Sequence, residues 1–493
     1  MTISIAPLFH MHQPDYRHPQ TGVPVMPWVR LHACRGYTDV PTLLLESGSV
    51  ATVNVVPSLL EQLEGYANGQ TDHWEVLSRI PAEDLTEEQV DFVRTRFFHG
   101  NIRMRQCSPH FTKLEQQAKA GAGLSVQALR DIQVWSNLAW MGVVARRNPF
   151  VQALRDKDSD FTHEELIALM DIQREIVQNV LPLWRQLPSV SCTPHCHPIL
   201  PLLVDFSHAG RSLTIPDDDT VQFSWPGDAQ RHLMDGRAIV QRILGRTPQG
   251  LWPSEGAVSP ESMKIAKAAG FSWFVTDQAQ LERARRSGPV DILRPWIVKD
   301  GPVGLFRDQQ LSDRISFVYQ HWNGEDACRD LLERVDACGQ SGTMVLALDG
   351  ENPWECYPDA GEAFLKALFA SGRCVGAETA AVQAPAGTVL QLHTGSWIDG
   401  SLAVWAGDAT DRRAWRLLSE ARLAWEQAGR PETAWRHIAA AEGSDWFWWF
   451  GPEFHTDEHE LFDALFRAHV QAIWEATGVQ APSNVFTPIG GPR

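Results

Sequence analysis

The sequence predicts an α/β protein whose core is a parallel β-barrel, followed by a mainly helical region. Short apolar strands alternate with helix-like patterns over residues 1–360, and acidic or polar residues repeatedly follow the strand ends. From about residue 361 the apolar spacing becomes mostly helical. We therefore predict a barrel domain over residues 1–360, with a helical insertion at about 72–188, and a helical domain over residues 361–493.

Composition narrows the class of protein. The 493 residues are 44% hydrophobic, which is enough to bury a large core. The net charge of −17 argues against nucleic acid and anionic membranes as partners, whereas a neutral polymer is compatible with it. No membrane helix, signal peptide, CxxC pair or phosphate-binding motif is recognisable, so we expect a cytoplasmic protein with reduced thiols and no cofactor. The oligomeric state is left open.

The first strand, residues 3–9, ends at His10-Met11-His12. Two imidazoles at positions i and i+2 of a strand point to the same side and can reach one site. Such a pair can bind a metal, but no carboxylate or further histidine follows at close spacing. Hydrogen bonding to sugar hydroxyls is therefore favoured, structural packing is the alternative, and no metal is predicted.

A second strand, residues 50–56, is followed by a helix after Pro57 and then by the long helical insertion, in which Thr86 and Thr162 are predicted helix starts. The next strand begins near Ser189 and leads to His195 and His197. His197 is expected to join the first two histidines at the barrel mouth, and His195 is a weaker candidate.

The segment from Gly250 to Glu261 predicts strand, loop and helix in succession. Ser259 is a typical N-cap and Pro260 a typical first helical residue, so Glu255 falls on the loop between strand and helix. Barrels of this class carry their chemistry on such loops. Trp252 beside it offers a face for a sugar ring, although a loop glutamate can equally serve as a cap.

The apolar run from Met344 to Leu348 predicts a buried parallel strand that ends directly on Asp349, with Trp354 shortly after it. Two strand-end loops thus carry an acid and a tryptophan each. If the barrel brings Glu255 and Asp349 to face each other, they form the nucleophile and acid/base pair of a glycosidase.

Tryptophan is unusually abundant, with twenty Trp against five Tyr. Packing is the default interpretation of any single indole, yet so many suggest that some line a sugar-binding cleft. In the helical region, Trp397 lies in a loop, and the aromatic run after Ser444 is either core or a sugar platform. Asp445 next to Trp446 favours contact with substrate.

Five separated segments together resemble glycoside hydrolase family 57. They are residues 10–14 (HMHQP), 197–203 (HPILPLL), 250–255 (GLWPSE), 348–355 (LDGENPWE) and the run around 444–449 (SDWFWW). The segments WPSEG, DGENPWE and GSWIDG are most similar to amylopullulanase and α-amylase-type members. His195 and Cys196 stand where aromatic residues are expected in the second segment.

The resemblance implies an incomplete (β/α)7 barrel followed by a helical domain. It implies that Glu255 is the nucleophile and Asp349 the acid/base of a reaction that retains the α-configuration. We expect the charge of Glu255 and burial near Trp354 to raise the pKa of Asp349, so that it is protonated while Glu255 is ionised. The implied substrate-binding residues are His10, His12, His197, Trp252, Trp354, Trp397, Asp445 and Trp446.

The expected activity is retaining hydrolysis of α-1,4-glucosidic bonds, with α-1,6 bonds as a further candidate, in starch, glycogen or maltooligosaccharides. A 4-α-glucanotransferase or a glucan branching enzyme would use the same residues with a sugar hydroxyl in place of water. Two alternatives belong to other classes: a catalytically silent glucan-binding protein, and a metal-dependent deacetylase-like barrel built on His10 and His12.

Overall fold

The computed structural model describes residues 3–216, 219–285, 290–339, 341–452 and 454–490. The strands in these ranges are β1 (Ser4–Met11), β2 (Thr52–Val55), β3 (Ser189–Cys192), β4 (Gly250–Leu251), β5 (Trp273–Asp277), β6 (Trp296–Val298), β7 (Val303–Arg307), β8 (Thr343–Asp349) and β9 (Ala386–Leu390).

The helices of the first half are α1 (Trp28–Ala33), α2 (Gly36–Ser47), α3 (Pro57–Ala67), α4 (His73–Arg79), α5 (Glu87–Arg96), α6 (Ile102–Arg105), α7 (Pro109–Lys119), α8 (Val126–Leu138), α9 (Pro149–Lys157), α10 (His163–Trp184), α11 (Leu200–Val204) and α12 (Pro226–Leu244). Those of the second half are α13 (Pro260–Ala268), α14 (Gln278–Arg285), α15 (Gln309–Asp313), α16 (Gly324–Ala337), α17 (Asn352–Cys356), α18 (Glu362–Ala370), α19 (Ala377–Ala381), α20 (Ala403–Ala406), α21 (Ala409–Gln427), α22 (Trp435–Ala441), α23 (Ser444–Phe450) and α24 (His459–Thr477).

Seven parallel strands close into a barrel in the order β1, β2, β3, β4, β5, β7 and β8. The ring closes because β1 pairs with both β2 and β8, and β5 pairs with β7 across the position that β6 would occupy. β6 instead runs antiparallel to β7 and carries β9 at the outer edge. The predicted (β/α)7 barrel is therefore confirmed.

The apolar composition of the barrel strands explains why they are buried. The residues of β8 from Thr343 to Leu348 are all buried, as expected for a parallel strand covered on both faces. The register sets polar residues side by side where the strands end: His10 pairs with Asn54 on one side and with Asp349 on the other. This end of the barrel holds the candidate site.

Helices α4 to α10 form the predicted insertion between β2 and β3. Its helix starts at Thr86 and Thr162 are capping boxes, in which the threonine side chain and the third helical residue exchange hydrogen bonds with the backbone. None of the described helices is long and apolar enough to cross a bilayer.

The C-terminal region is mainly helical, and α21, α22 and α23 all pack against α24. The segment just after residue 360 remains with the barrel, since α18 contacts α2 and α16, and α19 contacts β1 and β7. The domain boundary at 360 therefore stays a prediction. Many indoles pack in the core as the default interpretation expects, among them Trp135, Trp184, Trp405 and Trp415.

Candidate active site

A cavity of about 320 Å³ opens at the carboxyl ends of the barrel strands. The lining comes from the ends of β1 and β8, from the loops after β1, β4 and β8, and from Trp397, α23 and α24. The lining consists of His10, His12, Gln13, Pro14, Tyr16, Glu255, Asp349, Glu351, Asn352, Trp397, Ser444, Asp445, Trp448, Trp449 and Phe462. Barrels of parallel strands carry their chemistry at this end.

Three imidazoles stand beside one another at this site, and we call His10, His12 and His197 the histidine cluster. The ring centroid of His12 lies 3.8 Å from that of His197 and 5.4 Å from that of His10. The Nε2 atoms of His10 and His197 are 3.2 Å apart. The structure thus brings together the three histidines that the sequence assigns to the barrel mouth.

Hydrogen bonds fix the two inner rings of the cluster in neutral tautomers. His10 Nδ1 lies 2.6 Å from Asn54 Oδ1, an acceptor, so this nitrogen carries the proton of His10. His10 Nε2 can then only accept, and His197 donates to it from Nε2. His197 Nδ1 therefore accepts from the Ser444 hydroxyl, 2.8 Å away.

One ring nitrogen from each histidine of the cluster lies within 4.8 Å of the other two, which is close enough to share a metal ion. No further histidine stands close to the first pair in sequence, but His197 joins them from the segment after β3, as expected for the barrel mouth. Both nitrogens of His10 and both of His197 already have polar partners, however, and His12 Nε2 lies 3.3 Å from Asp445. That the site works without a metal remains a prediction.

Glu255 lies in the middle of a one-turn helix, Ser254–Gly256, between β4 and α13. The predicted N-cap and first helical residue, Ser259 and Pro260, are confirmed. Glu255 adopts a left-handed backbone conformation with φ of 56°, which residues other than glycine seldom adopt. Trp397 holds it there, because its backbone N–H donates to the Glu255 carbonyl at 3.1 Å and its indole N–H to Oε2 at 2.8 Å.

Asp349 is the last residue of β8, as the sequence predicts. Glu351, two residues further on, lines the same cavity and is 3% exposed. Its Oε1 accepts from the His12 backbone N–H at 3.0 Å and from the Tyr37 hydroxyl at 2.9 Å, while its buried Oε2 has no hydrogen-bond partner. A third carboxyl group therefore joins the predicted pair.

One ring of the histidine cluster is a cation, and the other two are neutral. Burial disfavours a charge on His12, but the nearby Asp445, Glu255 and Glu351 outweigh it and raise its pKa to about 9. For His10, burial and the neighbouring His12 charge lower the pKa to about 3, and the same two causes lower that of His197 well below its usual range. His12 is thus the positive charge that faces the carboxyl groups.

Glu255, Asp349 and Glu351 have raised pKa values. Burial raises the pKa of Glu255 to about 7, against the opposing effects of His12 and the Trp397 indole. Burial also raises the pKa of Asp349, and burial and the charge of Asp349 raise that of Glu351 to about 8. The expected influence of Glu255 on Asp349 runs in the other direction, since it is Asp349 that raises the pKa of Glu255.

Two of the predicted substrate tryptophans lie behind the cavity lining. Trp252 is 1% exposed and stacks on His10, with 5.4 Å between ring centroids. Trp354 packs against Phe9 in the core, and its indole N–H donates to the Gly350 carbonyl at 3.0 Å. Asn352 lines the cavity, and Trp354 follows it by two helical residues, which corresponds to a rotation of about 200° around the helix axis. The Trp354 side chain therefore points away from the cavity. Both rings thus lie outside the cavity lining, and their part in substrate binding stays a prediction.

Helix α23 divides the aromatic run between the cavity and the core. Asp445, Trp448 and Trp449 share the face that lines the cavity, whereas Trp446 points to the opposite side and is 1% exposed. This division follows the helical repeat, in which positions i, i+3 and i+4 lie together. Trp448 and Trp449 take the place that the sequence analysis gave to Trp446.

Sequence reasoning missed Asn54, Ser444 and Glu351 as parts of the site. Asn54 is the one amide side chain in the otherwise largely apolar strand β2, and a buried amide of this kind signals a specific partner. Ser444 and Glu351 carry no such signal, because one is a helix-start serine and the other stands among several acids. Their roles become visible only from the contacts they make.

The chain matches the protein-family model described as "Glycosyl hydrolase family 57" over residues 7–382. No curated protein sequence matches it. Its fold is similar to that of a family 57 branching enzyme from Thermococcus kodakaraensis, with 14% identity and a TM-score of 0.61 over 97% of this chain and 90% of that one.

Two further solved structures are similar at the level of fold. The α-amylase AmyC from Thermotoga maritima has 13% identity and a TM-score of 0.58 over 97% of this chain and 93% of that one. A 4-α-glucanotransferase from Thermococcus litoralis has 14% identity and a TM-score of 0.51 over 97% of this chain and 59% of that one. Since the family model spans most of the sequence, the chain belongs to glycosyl hydrolase family 57.

Proposed function

We propose that the chain is an α-glucan-active retaining glycosidase, in which Glu255 is the nucleophile and Asp349 the acid/base. The observation that carries the proposal is that both carboxyl groups, from two strand ends of one barrel, line a single buried cavity. Retaining glycosidases need two carboxyl groups about 5 to 5.5 Å apart on either side of the scissile bond. The solved family 57 structures similar in fold comprise a branching enzyme, an amylase and a glucanotransferase, which supports an α-glucan as substrate.

In the first step, ionised Glu255 attacks the anomeric carbon as the glycosidic C–O bond breaks, and Asp349 gives its proton to the leaving oxygen. The Trp397 indole N–H favours the ionised form of Glu255, because it donates to Oε2 at 2.8 Å. The protonated His12 lowers the pKa of both carboxyl groups and offsets the cost of a buried negative charge.

In the second step, Asp349 takes a proton from water, the resulting hydroxide attacks the anomeric carbon, and Glu255 leaves as a carboxylate. Two inversions at the anomeric carbon retain the α-configuration. The sugar held between the two acids has polar neighbours in His12 and Asp445, which can bond its hydroxyl groups, whereas both nitrogens of His10 are already bonded to Asn54 and His197.

A transferase is the second candidate, and the aromatic side of the cavity favours it. Trp448, Trp449 and Phe462 line the same cavity as the acids, where an acceptor sugar can stack and exclude water. A 4-α-glucanotransferase or a branching enzyme would then resolve the glycosyl-enzyme with a sugar hydroxyl. Hydrolysis of α-1,4 bonds is our first choice, with α-1,6 bonds as a further candidate.

The test is incubation of the pure protein with maltoheptaose and chromatography of the products over time. Shorter oligosaccharides with a matching rise in reducing ends indicate a hydrolase, and longer chains without that rise indicate a glucanotransferase. We expect Glu255→Gln and Asp349→Asn to lose nearly all turnover. Wild-type turnover in both amide variants would show that the pair is chosen wrongly, and an unchanged donor with the wild type would favour a silent glucan-binding protein.

A further inference from the structure

The connection between β7 and α16 carries a run of exposed apolar side chains. We call residues 316–323 (SFVYQHWN) the aromatic segment. Phe317 is 68% exposed, Trp322 is 41% exposed, and Val318 between them is exposed as well. A single exposed apolar residue needs no explanation, but three large ones within six positions indicate a binding surface.

The aromatic segment lies at the end of the barrel that holds the catalytic cavity. It follows the carboxyl end of β7 and α15, and connections of this kind form the catalytic face of a parallel barrel. The segment packs against α17, whose first residue, Asn352, lines the cavity. Since a helix of five residues is only about 7.5 Å long, the segment lies close to the cavity without lining it.

Contacts with the rest of the chain hold the aromatic segment in place. Arg103 of α6 donates to the Gln320 carbonyl at 3.2 Å and also to the Cys356 carbonyl at the end of α17, which ties the segment to the helix beside the cavity. The buried Tyr319 meets Trp322 edge-on, with 5.5 Å between ring centroids. A surface that is already ordered loses little conformational entropy when a ligand binds.

The chemistry of the aromatic segment suits a neutral ligand that is rich in hydroxyl groups. The segment contains no Asp, Glu, Lys or Arg, although the chain as a whole has a net charge of −17. The side chains of Ser316, Gln320 and Asn323 both donate and accept hydrogen bonds, as sugar hydroxyls do. The exposed aromatic rings can cover the apolar face of a sugar ring.

Two other occupants fit this surface less well. A stable protein interface buries about 1,200 to 2,000 Å² in total, whereas three apolar side chains supply at most a few hundred. An anionic lipid surface attracts clusters of Lys and Arg, and the segment has neither residue. A sugar chain needs only a narrow aromatic strip with uncharged polar neighbours.

We propose that the aromatic segment binds an α-glucan chain outside the catalytic cavity, with sugar rings stacked on Phe317 and Trp322. The choice of an α-glucan among sugar polymers rests on the proposed function, whereas the exposed rings and their place beside the cavity do not. A chain held there stays close to the cavity, so the segment favours long glucans over short ones.

The experiment is a calorimetric titration of the full chain with β-cyclodextrin, followed by a crystal structure of the complex. This closed ring of α-1,4-linked glucose is too large for a cavity of about 320 Å³. We expect it on the aromatic segment, with a Kd raised at least about fivefold in Phe317→Ala, because apolar sugar surface is then left in water. Trp322→Ala should weaken binding in the same way.

Phe486→Ala is the matched control. It makes the same change at a phenylalanine that is 57% exposed in the C-terminal region, so its Kd should equal that of the wild type. In a second assay, Phe317→Ala should lower kcat/KM on amylose about fivefold and leave kcat/KM on maltotriose unchanged, because a short substrate does not extend beyond the cavity. Unchanged turnover of maltotriose also shows that the variant is folded.

Three results would overturn the proposal. They are equal β-cyclodextrin binding by Phe317→Ala and Phe486→Ala, a crystal structure with the sugar elsewhere on the chain, and a wild-type dimer that sedimentation shows to dissociate in Phe317→Ala. Failure of the proposed function is distinguishable, because binding is measured without turnover. A protein that is inert towards maltoheptaose but holds β-cyclodextrin on the aromatic segment would refute the proposed reaction and support this binding surface.

Discussion

Replacing Trp397 with Phe tests the electrostatics of the proposed nucleophile directly. The change removes the indole N–H that donates to Glu255 Oε2 at 2.8 Å and retains an aromatic ring at the position. A hydrogen bond to a charged group contributes about 1.5 to 3 kcal/mol, which corresponds to about one to two pKa units. Since this bond favours the ionised carboxylate, its loss should raise the pKa of Glu255.

The expected loss of activity follows from the pKa of Glu255 in the wild-type protein. Because the pKa of Glu255 is about 7, about half of the wild-type protein carries the ionised nucleophile at pH 7. A rise of one to two units leaves about a tenth to a hundredth ionised, so activity at pH 7 should fall about 5- to 50-fold. Raising the pH restores the ionised nucleophile, so activity should recover up to the pH at which Asp349 loses the proton that the first step requires.

The assay is the pH profile of kcat/KM on maltoheptaose, whose acidic limb reports the ionisation of the free enzyme. Trp252→Phe is the matched control, because this indole packs perpendicular to Trp397 at 5.3 Å and its own N–H has no hydrogen-bond partner. We expect the acidic limb to move to higher pH in Trp397→Phe and to stay in place in Trp252→Phe. An unmoved limb in Trp397→Phe, or equal shifts in both variants, would refute the reasoning.

Three further predictions concern substrate, stability and metal. Trp448→Ala should raise KM for maltoheptaose severalfold because it removes a cavity-lining ring, whereas Trp446→Phe should leave KM unchanged; equal KM values would contradict the assignment of α23 faces. Burial raises the pKa of Glu255 from 4.5 to about 7, so the folded chain holds a proton that the unfolded chain releases. The contribution of this carboxyl group to the stability of the folded protein is therefore lost as the pH rises through 7. The Tm of Glu255→Gln relative to wild type, measured by calorimetry, should therefore increase from pH 5 to pH 8; a constant difference would argue against the raised pKa. Turnover should survive dialysis against EDTA, because His12 Nε2 is already paired with Asp445; loss of activity that Zn²⁺ restores would identify the histidine cluster as a metal site.

The sequence was sufficient for the barrel and for the positions of its two acids. Glu255 and Asp349 follow strand signals that are local, namely a capped helix start after one and an apolar run before the other. Parallel strands place their carboxyl ends at one edge, so the meeting of these loops could be predicted without knowing the strand order.

The sequence was insufficient wherever a side chain depends on register or on helical phase. Asn54 stands beside His10 only because β1 and β2 pair in one register, and no pattern in either strand specifies that pairing. For the aromatic run, the composition indicates a platform, but the position at which α23 starts decides that Trp448 faces the cavity and Trp446 the core. A shift of one or two residues in that start would reverse the assignment.

Backbone strain connects the barrel to the C-terminal region. His197 and Glu255 both have positive φ, 58° and 56°, and conformations of this kind persist only where surrounding contacts over-determine them. In each case a residue of the C-terminal region supplies the contact: the Ser444 N–H donates to the His197 carbonyl at 3.0 Å, and the Trp397 N–H donates to the Glu255 carbonyl at 3.1 Å.

The same two residues also bond the functional side chains. Ser444 Oγ lies 2.8 Å from His197 Nδ1, and the Trp397 indole N–H lies 2.8 Å from Glu255 Oε2. The barrel therefore supplies His197 and the proposed nucleophile Glu255, and the C-terminal segment contacts both the backbone and the side chain of each. Ser444 and Trp397 lie beyond residue 382, where the family match ends, so these four contacts tie the matched portion of the chain to the segment that follows it.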